Sequence, residues 1–140
     1  MSFADERLKH LDYLHATIAR QASHSFAVKG WALTVSAAIY AYAGSNLHWW
    51  NALVGIMPAI AFGWLDAFYL RQERLFRELY NASSTASTAV PVFSMNTAPY
   101  ADPSRYPHCA WSYVVRANTL WIFYGVIIGF GLLLMGISFI

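Results

Sequence analysis

Asp66 interrupts the stretch NALVGIMPAIAFGWLDAFYL, residues 51–70, which carries no other charge. Five residues further on, about 7 Å along a helix, arginines begin: Arg71, Arg74 and Arg77 in LRQERLFRELY. A carboxylate costs about 3 kcal/mol at the centre of a bilayer and less toward its surface, so an acid in such a segment faces a cavity or a partner. Two roles are open to Asp66. It is the polar element of a pore or its coupling, or it pairs with Lys29, Arg71 or Arg74 and holds neighbouring helices together.

A second cluster lies in PYADPSRYPHCAWSYVVR, residues 99–116, which interleaves Tyr100, Arg105, Tyr106, His108, Trp111, Tyr113 and Arg116. Arginines among aromatic rings can neutralise phosphates and stack bases. The same residue types also form the belt that anchors a span at the membrane surface. Trp111 and Tyr113, closest to the last apolar segment, read as belt. Arg105 and Tyr106, with Arg71, Arg74 and Arg77, make the expected ligand-binding set, for a nucleotide or oligonucleotide. Catalysis finds no support. His10, His15, His24, His48 and His108 lack metal-ligand spacing, and no zinc-protease, nucleophile-elbow or phosphate-loop motif occurs. The single cysteine, Cys109, excludes an internal disulfide and reads as a small buried residue. Neither an enzyme nor a bound metal or cofactor is expected.

The elements that must position these residues follow from composition. The 140 residues are 58% hydrophobic, 17% aromatic and 11% charged. A soluble domain carries about 25% charged residues, and a soluble monomer built from this chain would expose large apolar patches. The expected fold is an all-α integral membrane protein, a single membrane domain over residues 1–140 with the lipid bilayer as its first partner. Three segments approach the length of about 20 residues that a helical span needs: 28–44, 50–70 and 119–140. Residues 1–27, with acids and bases throughout and no uninterrupted apolar core, read as an amphipathic cytoplasmic helix and not as a signal peptide. Its stripe is Leu8, Leu11, His15, Ile18 and Ala22, widened by Leu14. With no Gly or Pro before Gly30, it is able to continue into the first span, and the second helix is its expected packing partner. The nine Lys and Arg residues all fall before Gly30, where the uncharged stretch of the first span begins, or between the second and third spans. By the positive-inside rule, the N-terminus and the 71–116 region are cytoplasmic and the C-terminus reaches the outer face.

The second span is expected to continue as helix to residue 80, with i,i+4 pairs Glu73–Arg77 and Arg74–Glu78. Residues 81–117, holding four of the five prolines, form a cytoplasmic loop in which AVPVFSM could be a short strand. In the third span Gly125 and Gly129 form a GxxxG pair that allows close helix approach, so a homo-oligomer is expected. A pore at its axis would need a few polar positions such as Ser36, Tyr40 or Asp66.

The combination of WLDAFYLRQERLFRELY with VFSMNTAPY resembles a family of small bacterial inner-membrane proteins with LDAYYLRQERLFRxLY and FSMDxxPY motifs. The likeness is strongest over the second helix, moderate over FAVKGWALTVSAAIYAYA, and only one of hydrophobicity in the third span; Asn96 replaces the motif's acid. A more distant resemblance is to membrane effectors of bacterial antiphage systems of the Hailong type, in which an oligonucleotide controls a membrane protein. Together these imply a homo-oligomeric inner-membrane effector or small ion channel, controlled by a cytoplasmic ligand and serving antiviral defence. The alternative is a non-conducting accessory subunit that scaffolds a protein partner.

Overall fold

The computed structural model describes residues 3–46, 48–85 and 90–139. Leu47 of the expected turn, Ala89 of the expected strand and Ile140 of the expected third span lie outside them. Among the described residues the regular structure is all helical: α1 Phe3–Ser45, α2 Trp49–Ser84, α3 Trp111–Val115 and α4 Asn118–Ile137, with 3₁₀ turns at Ala98–Tyr100 and Pro107–Cys109. The helices assemble into two compact units. The first unit is Met1–His24 with Tyr69–Val114; the second is Ser25–Phe68 with Val115–Ile140.

The N-terminal helix and the expected first span are one 43-residue helix, α1. Asp5 and Glu6 in its first turn complement the helix dipole, and nothing before Gly30 breaks it. Its buried face differs from the expected stripe. Leu8 is 62% exposed, while the inward positions are His10, Leu14, Ser25, Val28, Ala32, Ser36, Tyr40 and Ala43. The stripe contains polar residues because the inner face of α1 also binds backbone carbonyls and a carboxylate, so hydrophobicity alone misplaces it.

α2 runs for 36 residues through Pro58 and well past the apolar segment. Its continuation packs on α1 as expected: Leu14 joins Leu75 and Leu79 in the core of the first unit, with Val90, Tyr100 and Cys109 from the loop. Among the described residues 90–117 of the loop there is no strand. Ser94 N–H donates to Pro91 O at 3.1 Å, closing a turn that puts Phe93 at φ 63°. α1 takes the carbonyls that a strand partner would have used: Arg7 Nη1 donates to Val90 O at 3.0 Å, and His10 Nε2 to Ser94 O at 2.9 Å. Asn96, in the place of the motif's acid, accepts from Ala98 N–H at 3.0 Å through Oδ1. An amide supplies that acceptor as well as a carboxylate does.

Two helices are long and apolar enough to cross a membrane, α2 and α4, and only 28% and 22% of their most apolar windows are buried within the chain. A core helix of a soluble protein would be mostly covered. Residues 28–44, the expected first span, are helical but are not among these helices, because Lys29, Thr34, Ser36, Tyr40 and Tyr42 lower their hydropathy.

Candidate functional site

In the second unit Asp66 has 0% exposure and is met from α1. Lys29 Nζ lies 2.5 Å from its Oδ2, and Ser25 Oγ donates to its Oδ1. Lys29 also donates to Ser25 Oγ at 3.1 Å, so the three side chains close on one another. The i,i+4 spacing of Ser25 and Lys29 puts both on the face of α1 that meets α2. From α4, Tyr124 comes beside Asp66, its hydroxyl donating to Phe62 O at 3.3 Å. Of the three bases considered for Asp66, Lys29 is therefore the partner. An acid in an apolar helix bundle needs such a cage, because every lost water contact must be replaced by a donor.

The other polar positions of this unit also face inward. Tyr40 is 6% exposed and donates to Ile127 O at 3.1 Å; Ser36 is 1% exposed. Ser36, Tyr40 and Asp66 are thus all buried within the second unit. Packing the phenol against α2 and α4 needs glycines: a Cβ at Gly55 would run into the Tyr40 ring, and one at Gly131 would meet its hydroxyl and Ile56. By contrast, a Cβ at Gly125 or Gly129 would meet open space. The GxxxG pair is on the outside of the chain.

In the first unit the structure joins Arg71 and Arg74 to residues 108–113. Arg71 Nε donates to Cys109 O at 3.0 Å, and its guanidinium lies 5.1 Å from the Trp111 ring centre. Arg74 Nη1 donates to His108 O at 2.8 Å, with its guanidinium 5.2 Å from the Tyr113 ring. Trp111 and Tyr113 are platforms for the arginines, a role that adjacency in sequence does not show. The expected Arg74–Glu78 pair is absent from the ion pairs of the described residues; Glu78 Oε1 instead receives His108 Nε2 at 3.1 Å. Competition explains this, since the loop offers each member a closer partner than the helix does.

The rest of the expected ligand set is dispersed. Arg77 pairs with Glu73 at 2.7 Å and is 61% exposed. Arg105 is exposed in the turn that Asp102 closes on Ser104. Tyr106 packs on the core, its ring 5.3 Å from Tyr100 and 6.4 Å from His108. The chain matches no family model, no curated protein and no solved structure.

Cys109 is fully buried. Burial pushes its thiol above the ordinary value, with Glu78 adding to the effect and Arg74 and Arg71 opposing it. A thiol whose folded value is raised stabilises the fold below the unfolded value, and that contribution is lost as pH rises above it. Alkylation by iodoacetamide at pH 8 should therefore run at least about tenfold slower in the native protein than in the denatured chain, since the thiolate is the nucleophile. Equal rates would show that Cys109 is open.

Proposed function

We propose that this is an integral protein of the bacterial inner membrane, a homo-oligomeric effector or small ion channel controlled by a cytoplasmic-face ligand. The observation that carries the proposal is the cage of Ser25, Lys29 and Asp66. Replacing a buried ion pair by apolar side chains is often neutral or stabilising, so its presence among lipid-facing helices points to a switch. In the closed arrangement Asp66 is neutralised and turned inward; opening would release it from Lys29. The large exposed side chains of the second unit, among them Trp31, Met57, Trp64, Trp121 and Val126, suit contact with lipid. With three spans, the first crossing from Gly30 onward, all nine basic residues would lie on the cytoplasmic side, as the positive-inside rule favours. The outward Gly125 and Gly129 face is where protomers would approach. An oligonucleotide is the ligand class suggested by the arginine–aromatic loop and by the resemblance to antiphage effectors. Because α1 and α2 belong to both units, a ligand that disturbs the loop has two helices through which to act.

The test is ion flux from liposomes holding the purified protein, with and without mixed-sequence DNA and RNA oligonucleotides. Flux that rises on addition supports the reading; tight vesicles in every condition remove it. A non-conducting scaffold is the second reading. It is favoured by the inward Ser36, Tyr40 and Asp66, which keep the polar side chains expected at a pore off the outer face of the second unit. Co-purification of a second protein with a monomer of this chain would select it.

A further inference from the structure

Arg71 and Arg74 are the first cations of α2 beyond the apolar segment 51–70, and they lie one turn apart. Each is immobilised twice, by a carbonyl bond and by a ring against its guanidinium. A guanidinium has five N–H donors, and the loop carbonyl uses one of each. Both side chains are partly exposed. Among the described residues neither forms an ion pair: Glu73, between them in sequence, pairs with Arg77, and Glu78 pairs with His108. Two pre-set, uncompensated guanidiniums favour a planar or tetrahedral oxyanion over a single charge contact. Trp111 and Tyr113 are the ring types that concentrate at the level of lipid headgroups.

We infer that Arg71 and Arg74, backed by Trp111 and Tyr113, bind the phosphodiester of an anionic phospholipid. The inference rests on the membrane placement proposed above and is independent of ligand control. The loop carbonyls hold the two forks in place, so little side-chain freedom is lost when the phosphate enters. A lipid bound there would tie residues 108–113 to the membrane surface, and a soluble phosphodiester would compete for the same donors.

The test is native mass spectrometry of the full chain in a neutral detergent, titrated separately with phosphatidylglycerol, phosphatidylcholine and a mixed-sequence oligodeoxynucleotide. Wild type should retain one phosphatidylglycerol per protomer, with phosphatidylcholine weaker by about tenfold, because its choline group offsets the phosphate charge. The double variant Arg71→Lys with Arg74→Lys keeps both charges but lacks the forks, and should lose about tenfold in phosphatidylglycerol binding. Arg20→Gln, which removes an exposed arginine outside the arginine–aromatic cluster, should bind as wild type does. Equal retention of the two lipids, or a folded double-lysine variant that binds phosphatidylglycerol normally, overturns the inference. Oligonucleotide binding that depends on the pair, without phosphatidylglycerol binding, assigns the site to a soluble ligand and also overturns it. Should the double variant fail to fold, hydrogen exchange of unaltered protein decides: residues 107–115 gain protection in phosphatidylglycerol nanodiscs over phosphatidylcholine ones, and no difference refutes the site.

Discussion

Replacing Lys29 by Met lowers the unfolding free energy by about 3–5 kcal/mol, the range for removing one partner of a buried ion pair. The size depends on which charge remains. The Asp66 side chain has 0% exposure, whereas that of Lys29 has 22%. Without Lys29, the carboxylate retains Ser25 as its donor and has no cation beside it. Without the carboxylate, the ammonium still has Ser25 and a path to water. Asp66→Asn should therefore cost only about 1–2 kcal/mol, the scale of one altered hydrogen bond. Combining it with Lys29→Met should recover much of the loss, with a coupling of about 1–3 kcal/mol. Chemical denaturation in mild detergent, followed by helicity, measures all three. Equal costs for the two single variants would show that Asp66 is hydrated and that the cage is not closed.

Gly131→Ala should destabilise the protein by about 1–3 kcal/mol, the usual range for overpacking. Helix propensity alone gives the opposite sign, with alanine favoured over glycine by about 1 kcal/mol. Packing wins because the new methyl would lie 2.7 Å from Ile56 Cγ1 and would also meet the Tyr40 hydroxyl. Tyr40→Phe removes that oxygen together with its bond to Ile127 O, which is worth about 0.6 kcal/mol by the average for membrane helices. It should therefore harm wild type slightly and partly rescue Gly131→Ala. Gly125→Ala and Gly129→Ala enter open space and should leave the protomer as stable or more so, while any effect on subunit association appears in the native mass. Thermal melting by circular dichroism separates these cases. If Gly131→Ala melted above wild type, Tyr40 would not be seated against α4.

Composition and hydropathy made the helical class and the long α2 legible in the sequence, because apolar runs and an unbroken charged continuation are local signals. The pairing of the α2 continuation with the N-terminal helix was legible for the same reason: Leu75 and Leu79 required a cover, and Leu14 was near at hand. The stripe of α1 was not. His10, Ser25 and Ser36 occupy its buried face, and a reading by hydrophobicity turns polar residues outward. The loop was legible only as irregular, since its order comes from side chains on distant helices, Arg7, His10, Arg71 and Arg74, that bind its carbonyls. The same contacts explain why an arginine set that looks like one patch in sequence divides into two anchored members, one helix-paired residue and one exposed turn residue. Asp66 stood out by its charge, and Lys29 was among its possible partners. Ser25 gave no signal beyond its four-residue spacing from Lys29.

The most direct test of a gated effector is to measure ion flux through liposomes holding Asp66→Asn beside wild type, both shown to be folded and equally reconstituted. If the carboxylate's pairing with Lys29 keeps the protein closed, wild type is tight without ligand and Asp66→Asn leaks without it. An Asp66→Asn protein as tight as wild type, with and without oligonucleotide, would contradict the switch and leave Asp66 as a residue that joins two helices.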